Sequence, residues 1–218
     1  MQVALELFFQ KGYEHTTIMD IINEMGVSKG AFYHYFDSKE DVIVAIAQEF
    51  TEKAVRMIKS IFDQPGIDAV EKMNQAFEAI NEYKIYEGEW RTKLRAAIEN
   101  EDNLKLQYKI YHFTKNEVID LYTELIESGV KEGVFGDPVN SCNMAEFFVD
   151  TIFSLNTAFH GLEKKSLQIE NLEEYGQFRQ KVEETIRFYE IILERIFKLQ
   201  KGSFNLRAPY LKRFQKKV

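Results

Sequence analysis

Apolar residues recur at three- and four-residue spacing along almost the whole chain, and the strict alternation of β-branched residues that marks a half-buried strand is missing. This pattern predicts an all-α protein of about nine helices. Breaks fall where Gly, Pro, Asn and Asp gather: Lys11-Gly12-Tyr13, Gly26-Val27-Ser28, Asp37-Ser38, Asp63-Gln64-Pro65-Gly66, Gly88, Asn100 to Asn103, Gly129 to Pro138, His160-Gly161 and Gly202. Between the breaks the spacing predicts short helices over 1–11, 17–24 and 28–35, then long ones over 39–62, 103–129, 141–160 and 172–200. Short helices ahead of long ones describe a small head, residues 1–45, a larger helical body, 46–200, and a tail, 201–218. Helix starts have physical markers. Thr16 or Thr17 can cap the second helix with Asp20 in its first turn, and Ser38 with Asp41 has the spacing of a capping box.

The 218 residues are 45% hydrophobic and 14% aromatic with only 3 Pro, a composition that excludes disorder and collagen-like repeats. One cysteine, Cys142, excludes a disulfide framework and a multi-cysteine zinc site and fits a reducing compartment. No uncharged apolar run approaches the roughly 18 residues that span a bilayer, and Met1 to Phe9 carries Glu6 and no basic segment, so a cytoplasmic protein with no membrane partner is expected. The net charge of −7 is unevenly spread: −5 over residues 1–50, −9 over 51–197 and +7 over 198–218. The body is acidic and the tail basic, so the tail either stays free in solvent or docks onto the body, with Pro209 opening a short helix that turns Tyr210, Leu211, Phe214 and Val218 to one side.

The head carries the most specific chemistry. Ile18, Ile21, Ile22 and Met25 form one apolar face, Gly26 permits a sharp turn, Val27 plugs the angle, and Ser28 caps a second helix that sends Phe32 and Phe36 inward. That helix exposes Lys29, Gly30, Ala31, Tyr33 and His34, small, aromatic and hydrogen-bonding groups suited to lying against a DNA groove. The spacing alone also fits a purely structural helical hairpin. The string Ala4-x3-Phe8-Phe9-x2-Gly12-Tyr13-x2-Thr16-Thr17-Ile18-x-Asp20-Ile21, followed by Gly26-Val27-Ser28-Lys29-Gly30-x2-Tyr33-x-Tyr35-Phe36-x-Ser38-Lys39-Glu40, resembles the DNA-binding domain of the TetR family of transcriptional regulators. The resemblance is strong over about a fifth of the chain, residues 4–44, and extends to the Glu-Ser-Gly-Val-Lys-Glu-Gly-Val-Phe turn at 127–135.

That resemblance implies a homodimer whose recognition helices enter successive major grooves of a palindromic, double-stranded DNA operator, most simply as a repressor, with a small-molecule effector bound in the helical body. It implies phosphate contacts at Thr17, Tyr33 and Lys39, and base contacts near Ser28, Lys29, Gly30, Ala31 and His34. The chain departs from the family pattern in two ways: Met1 already lies inside the first helix, with no basic extension ahead of it, and the head is acidic. Lys39, in the first turn of its helix beside exposed amide donors, and Lys29 are the cations left to attract phosphate.

Other chemistries lack parts. Gly26-Val27-Ser28-Lys29-Gly30 matches a hydrolase nucleophile elbow, but the elbow needs a preceding buried strand, and here the preceding segment is an amphipathic helix. None of the four histidines, His15, His34, His112 and His160, follows an acidic residue at three-residue spacing as a di-metal bundle requires. No phosphate-binding glycine loop or His-Glu-x-x-His helix is present, so no enzyme, metal or cofactor is expected. The body is rich in aromatic residues. Segments 77–94, 108–122 and 147–153 are expected to line an apolar effector pocket, with Phe77, Tyr83, Trp90, Tyr108, His112, Tyr122 and Phe148 as contacts for an apolar or aromatic effector. Two apolar stripes, Phe147 to Phe159 and Phe178 to Phe197, serve either a dimer interface or the interior of the protomer. The alternative to a regulator is a helical ligand-binding or enzymatic protein whose acidic head does not bind DNA.

Overall fold

The computed structural model describes residues 1–98, 103–138, 140–166 and 168–212. Among these the chain forms ten helices and no strand: α1 (Gln2–Lys11), α2 (Ile18–Met25), α3 (Lys29–Tyr35), α4 (Lys39–Phe62), α5 (Ala69–Tyr86), α6 (Gly88–Ile98), α7 (Leu104–Lys131), α8 (Ser141–Ser166), α9 (Leu172–Ile196) and α10 (Arg207–Lys212). The predicted starts hold to within a residue or so because caps fix them. Thr17 accepts from the Asp20 amide at 3.1 Å while the Asp20 carboxylate accepts from the Thr17 amide at 2.8 Å, a reciprocal capping box. Thr16 does not cap α2; its buried hydroxyl donates to the Gly12 carbonyl at 2.8 Å. Gly26 ends α2 at φ 65°, a left-handed turn that glycine adopts without a Cβ penalty. The break expected at His160-Gly161 does not occur. Gly161 lies inside α8, and its cost of roughly 1 kcal/mol relative to Ala is too small to end a packed helix.

The chain folds into two compact units. The first comprises residues 1–55 and 86–117, and the second residues 56–85 and 118 onward. A linear boundary after residue 45 therefore does not divide them. The first unit buries Ala4, Leu5 and Phe8 of α1, Ile21 and Ile22 of α2, Phe32 of α3 and Ile43 and Ile46 of α4, and the same core takes in Ala97 and Leu106. Trp90, Leu94 and Ile110 pack partly buried against it. The helix-turn-helix thus rests on α6 and the start of α7. Lys93 on α6 holds Glu6 on α1 at 2.6 Å and its own neighbour Glu89 at 2.9 Å.

In the second unit, Tyr122, Phe148, Phe197, Phe204 and Phe135 form a chain of ring contacts with centroids 5.0–6.3 Å apart. The turn after α7 feeds this cluster. The amides of Val134 and Phe135 both donate to the Gly129 carbonyl, folding the Phe135 ring onto a position where any Cβ at Gly129 would collide with it. Most of the α9 stripe is consumed inside the protomer: Val182, Ile186, Leu193 and Phe197 are buried, as are Phe148, Leu155 and Phe159 of α8. The outward apolar residues are instead Phe147 and Phe188.

Beyond α9 the chain turns at Lys198, φ 56°, and runs back as a strap without regular structure to α10. Side chains hold its amides. Glu194 accepts from Gly202 and Phe204, Glu190 accepts from Leu206 and Arg207, and Asn74 exchanges two hydrogen bonds with Ser203 and Asn205. Phe204, Leu206 and Tyr210 are buried, and Lys212 reaches Glu78 and Glu82 at 3.0 and 2.8 Å. Among the described residues the tail thus docks on the acidic body as far as Lys212, with Arg207 and Lys212 as its paired cations. Phe214, Val218 and the cations Arg213, Lys216 and Lys217 lie outside the described residues.

Candidate nucleic-acid interface and effector site

Helix α3 is short, with Phe32 as its one buried residue, so the rest of its surface is open. Ser28 caps it by accepting from the Ala31 amide at 3.1 Å. Lys29, Gly30, Ala31, Tyr33 and His34 are all exposed, as is Thr17 at the start of α2. Tyr33 stands edge-on to Phe32 and is 42% exposed, with the Lys29 ammonium 5.9 Å from its ring centre. Packing therefore does not claim Tyr33. The sequence pattern missed Met19 and Tyr35, which are 47% and 76% exposed on the same unit.

The three cations of the head behave differently. Lys11 pairs with Asp20 at 2.8 Å, and this bond, followed by those from Thr17, holds the Asp20 carboxyl well below the usual range. Lys39 is engaged within the head: its ammonium donates to the carbonyls of Tyr13 and Glu14 at 2.9 and 3.2 Å and lies 4.5 Å from the Tyr13 ring centre. Lys29 makes no ion pair among the described residues and remains the open positive charge of α3. Burial, with Glu40 and Glu14 nearby, pushes the Tyr13 phenol far above its ordinary range, so it stays neutral beneath Lys39.

The seven expected effector contacts do not fall in one unit. Trp90, Tyr108 and His112 belong to the first unit, whereas Phe77, Tyr83, Tyr122 and Phe148 belong to the second. Trp90 stacks on Phe50 at 5.6 Å, and Tyr108, 66% exposed, lies 4.0 Å from the His112 ring. Trp90 also borders a cleft of about 350 Å³ lined by Gln2, Glu6, Glu87, Glu89 and Lys93, too rich in carboxylates for an apolar ligand. Tyr122 and Phe148 are spent on the interior ring cluster, and burial alone raises the Tyr122 phenol. Phe77 faces a different partner, the ring of Tyr210 at 5.3 Å. Around Tyr210 the structure gathers Lys84, Asn156 and Phe159, none of which the sequence pattern singled out as an effector contact. Among the described residues no cluster of His, Cys, Asp or Glu could hold a metal ion, and no helix is long and apolar enough to cross a membrane.

Comparison with known proteins agrees with this geometry. Residues 1–46 match the family described as bacterial regulatory proteins, tetR family. The uncharacterized HTH-type transcriptional regulator YuxN of Bacillus subtilis is 36% identical over 89 residues, 39% of this chain and 31% of that protein. The HTH-type transcriptional repressor KstR2 of Rhodococcus jostii is 24% identical over 155 residues, 69% of this chain and 73% of the repressor. The transcriptional regulator FadR of Bacillus subtilis, solved in complex with stearoyl-CoA, shares the fold at a TM-score of 0.59 and 19% identity, over 75% of this chain and 87% of that one. With an open recognition helix set on a capped helix-turn-helix, and with these likenesses, residues 1–46 are a DNA-binding domain of the tetR family of bacterial regulatory proteins.

Proposed function

We propose that the protein acts in the cytoplasm as a homodimeric repressor that binds a palindromic operator and is released by a small-molecule effector held in its second unit. The observation that carries this reading is the unobstructed face of α3, where Lys29, Gly30, Ala31, Tyr33 and His34 are exposed together beside Thr17 and the Ser28 cap. Lys29 and His34 select bases, while Thr17 and Tyr33 contact phosphate. Lys39 is assigned to positioning, since it clasps the turn between α1 and α2 and so fixes the approach of α2. The outward residues Phe147 of α8 and Phe188 of α9, 41% and 61% exposed, supply the dimer contact.

Fluorescence anisotropy with the DNA upstream of the protein's own gene tests the first part: saturable binding well above that for random DNA is expected, and no preference at low and moderate salt would overturn it. Sedimentation tests the second. A chain that is monomeric at micromolar concentration would rule out two-fold operator recognition, and Phe188→Glu should dissociate a dimer while leaving the protomer folded, because Phe188 is not part of its interior.

A further inference from the structure

Tyr210 is wholly buried although it sits near the end of the chain on a helix of only six residues. Its ring lies nearly parallel to Phe159, centroids 4.2 Å apart at 30°, with Phe77 at 5.3 Å on another side. Its hydroxyl donates to Asn156 Oδ1 at 3.0 Å. The Asn156 amide nitrogen is committed to the Ile152 carbonyl at 2.8 Å, so the atom turned to the slot is an acceptor and demands a donor. Lys84 donates to the same oxygen at 3.2 Å. One turn earlier on the same face of α5, Asn81 donates to the Phe77 carbonyl, and its own Oδ1 is buried without a hydrogen-bond partner among the described residues. A slot with aromatic walls and an amide oxygen that accepts from a phenol hydroxyl fits a phenol. A plain hydrocarbon would leave Asn156 Oδ1 with the Lys84 donor but without the second hydrogen bond that a phenol hydroxyl supplies.

The segment that fills the slot buries Phe204, Leu206 and Tyr210, and its polar ties are exchangeable. Its amides rest on the carboxylates of Glu190 and Glu194, and its cations Arg207 and Lys212 pair with Glu183, Glu78 and Glu82 at the exposed surface, where such pairs contribute little. We propose that the Tyr210 slot is a binding site for a phenolic small molecule, and that this ligand competes with the chain's own strap, residues 202–212. The proposal rests on the effector reading of the second unit and gives that effector its chemical class, a phenol.

The Tyr210 side chain is p-cresol attached to the backbone, so p-cresol is the probe. In the full-length Tyr210→Ala variant, millimolar p-cresol should raise the melting temperature, and 4-methylanisole, which cannot donate, should bind at least about fivefold more weakly. In the unaltered chain p-cresol should speed amide exchange at Gly202, Phe204, Leu206 and Arg207. Absence of any stabilisation in the variant, or binding to the unaltered chain without faster exchange in the strap, would overturn the proposal. Should Tyr210→Ala fail to fold, Tyr210→Phe keeps the ring and loses only the hydrogen bond, so p-cresol should half-saturate it at about one-fifth the concentration needed for the unaltered chain. Equal half-saturation would count against competition. Operator anisotropy in the same titration separates the two readings: a strap displaced by phenol with unchanged DNA affinity leaves the slot standing and removes its role as effector site.

Discussion

The α3 surface and the interior of the second unit both carry aromatic side chains at helical spacing, yet the fold puts the two sets to different uses. On α3 the residues expected to face DNA are all on the surface, because a seven-residue helix with one inward phenylalanine has no other way to arrange them. In the second unit Tyr122 and Phe148, expected to face an effector, face one another, and the slot that has ligand chemistry is filled by Tyr210. A recognition helix is defined by a few consecutive residues and their cap. An interior site is defined by whichever distant segments close around it, and aromatic content alone does not distinguish a lining from a core.

The largest effect that would sharpen this contrast is at Phe148. If it is interior packing, as its contacts with Tyr122, Phe197 and Phe204 indicate, Phe148→Ala should cost about 3–5 kcal/mol of stability through the cavity it leaves. Thermal or urea unfolding measures this. A variant with unchanged stability but lost effector response would return Phe148 to the ligand site and erase the distinction drawn between the two regions.

What could be read from the sequence follows from how local each signal is. The starts of α2, α3 and α4 were legible because Thr17, Ser28 and Ser38 sit within three residues of the amides they cap. The docking of the tail was one of two readings its charge allowed, and Tyr210, named on its apolar side, is the residue that proves buried. The strap's holding points were not, since Glu190, Glu194 and Asn74 look like ordinary solvated helix residues until the chain returns over them. Likewise Lys39 was read from its place in the first turn of α4, whereas its partners are carbonyls 25 and 26 residues earlier. Gly161 shows the opposite error: a local breaker signal was overridden by the packing of the helix on either side.

A smaller effect is expected at the cap that sets the angle of α2. Thr17→Ala removes the acceptor for the Asp20 amide and should cost about 1 kcal/mol, with a loss of DNA affinity from the missing phosphate contact as well. Asp20 adds a pH signature. Its folded pKa is depressed, chiefly by Lys11 and then by Thr17, so its contribution is fully present above the unfolded value of about 3.9 and is lost as pH falls toward the lower folded value. Asp20→Asn should therefore flatten the acid limb of the stability profile below about pH 4 and leave the shape of the profile at neutral pH unchanged. Equal acid sensitivity in the variant would show that the capping box and the Lys11 pair do not stabilise the head.

The smallest effect on stability, and the finest test of the exposed face, lies in the two lysines of the head that were expected to meet DNA. Lys29 is open on α3, so Lys29→Ala should leave the melting temperature unchanged and alter which operator bases are preferred. Lys39 is turned into the head, so Lys39→Ala should loosen the turn between α1 and α2 and weaken binding to all sequences alike. Salt titrations separate positioning from direct contact. With so few exposed cations on each head, the log–log slope for the dimer should be shallow, about −2 to −4, and Lys29→Ala should reduce its magnitude by roughly one to two units. Lys39→Ala should change affinity with little change in slope, because a clasp on backbone carbonyls releases no counterions. A slope that falls by about one unit per head on removing Lys39 would show that its ammonium swings out to phosphate in the complex, and the open face would then include α4 as well as α3.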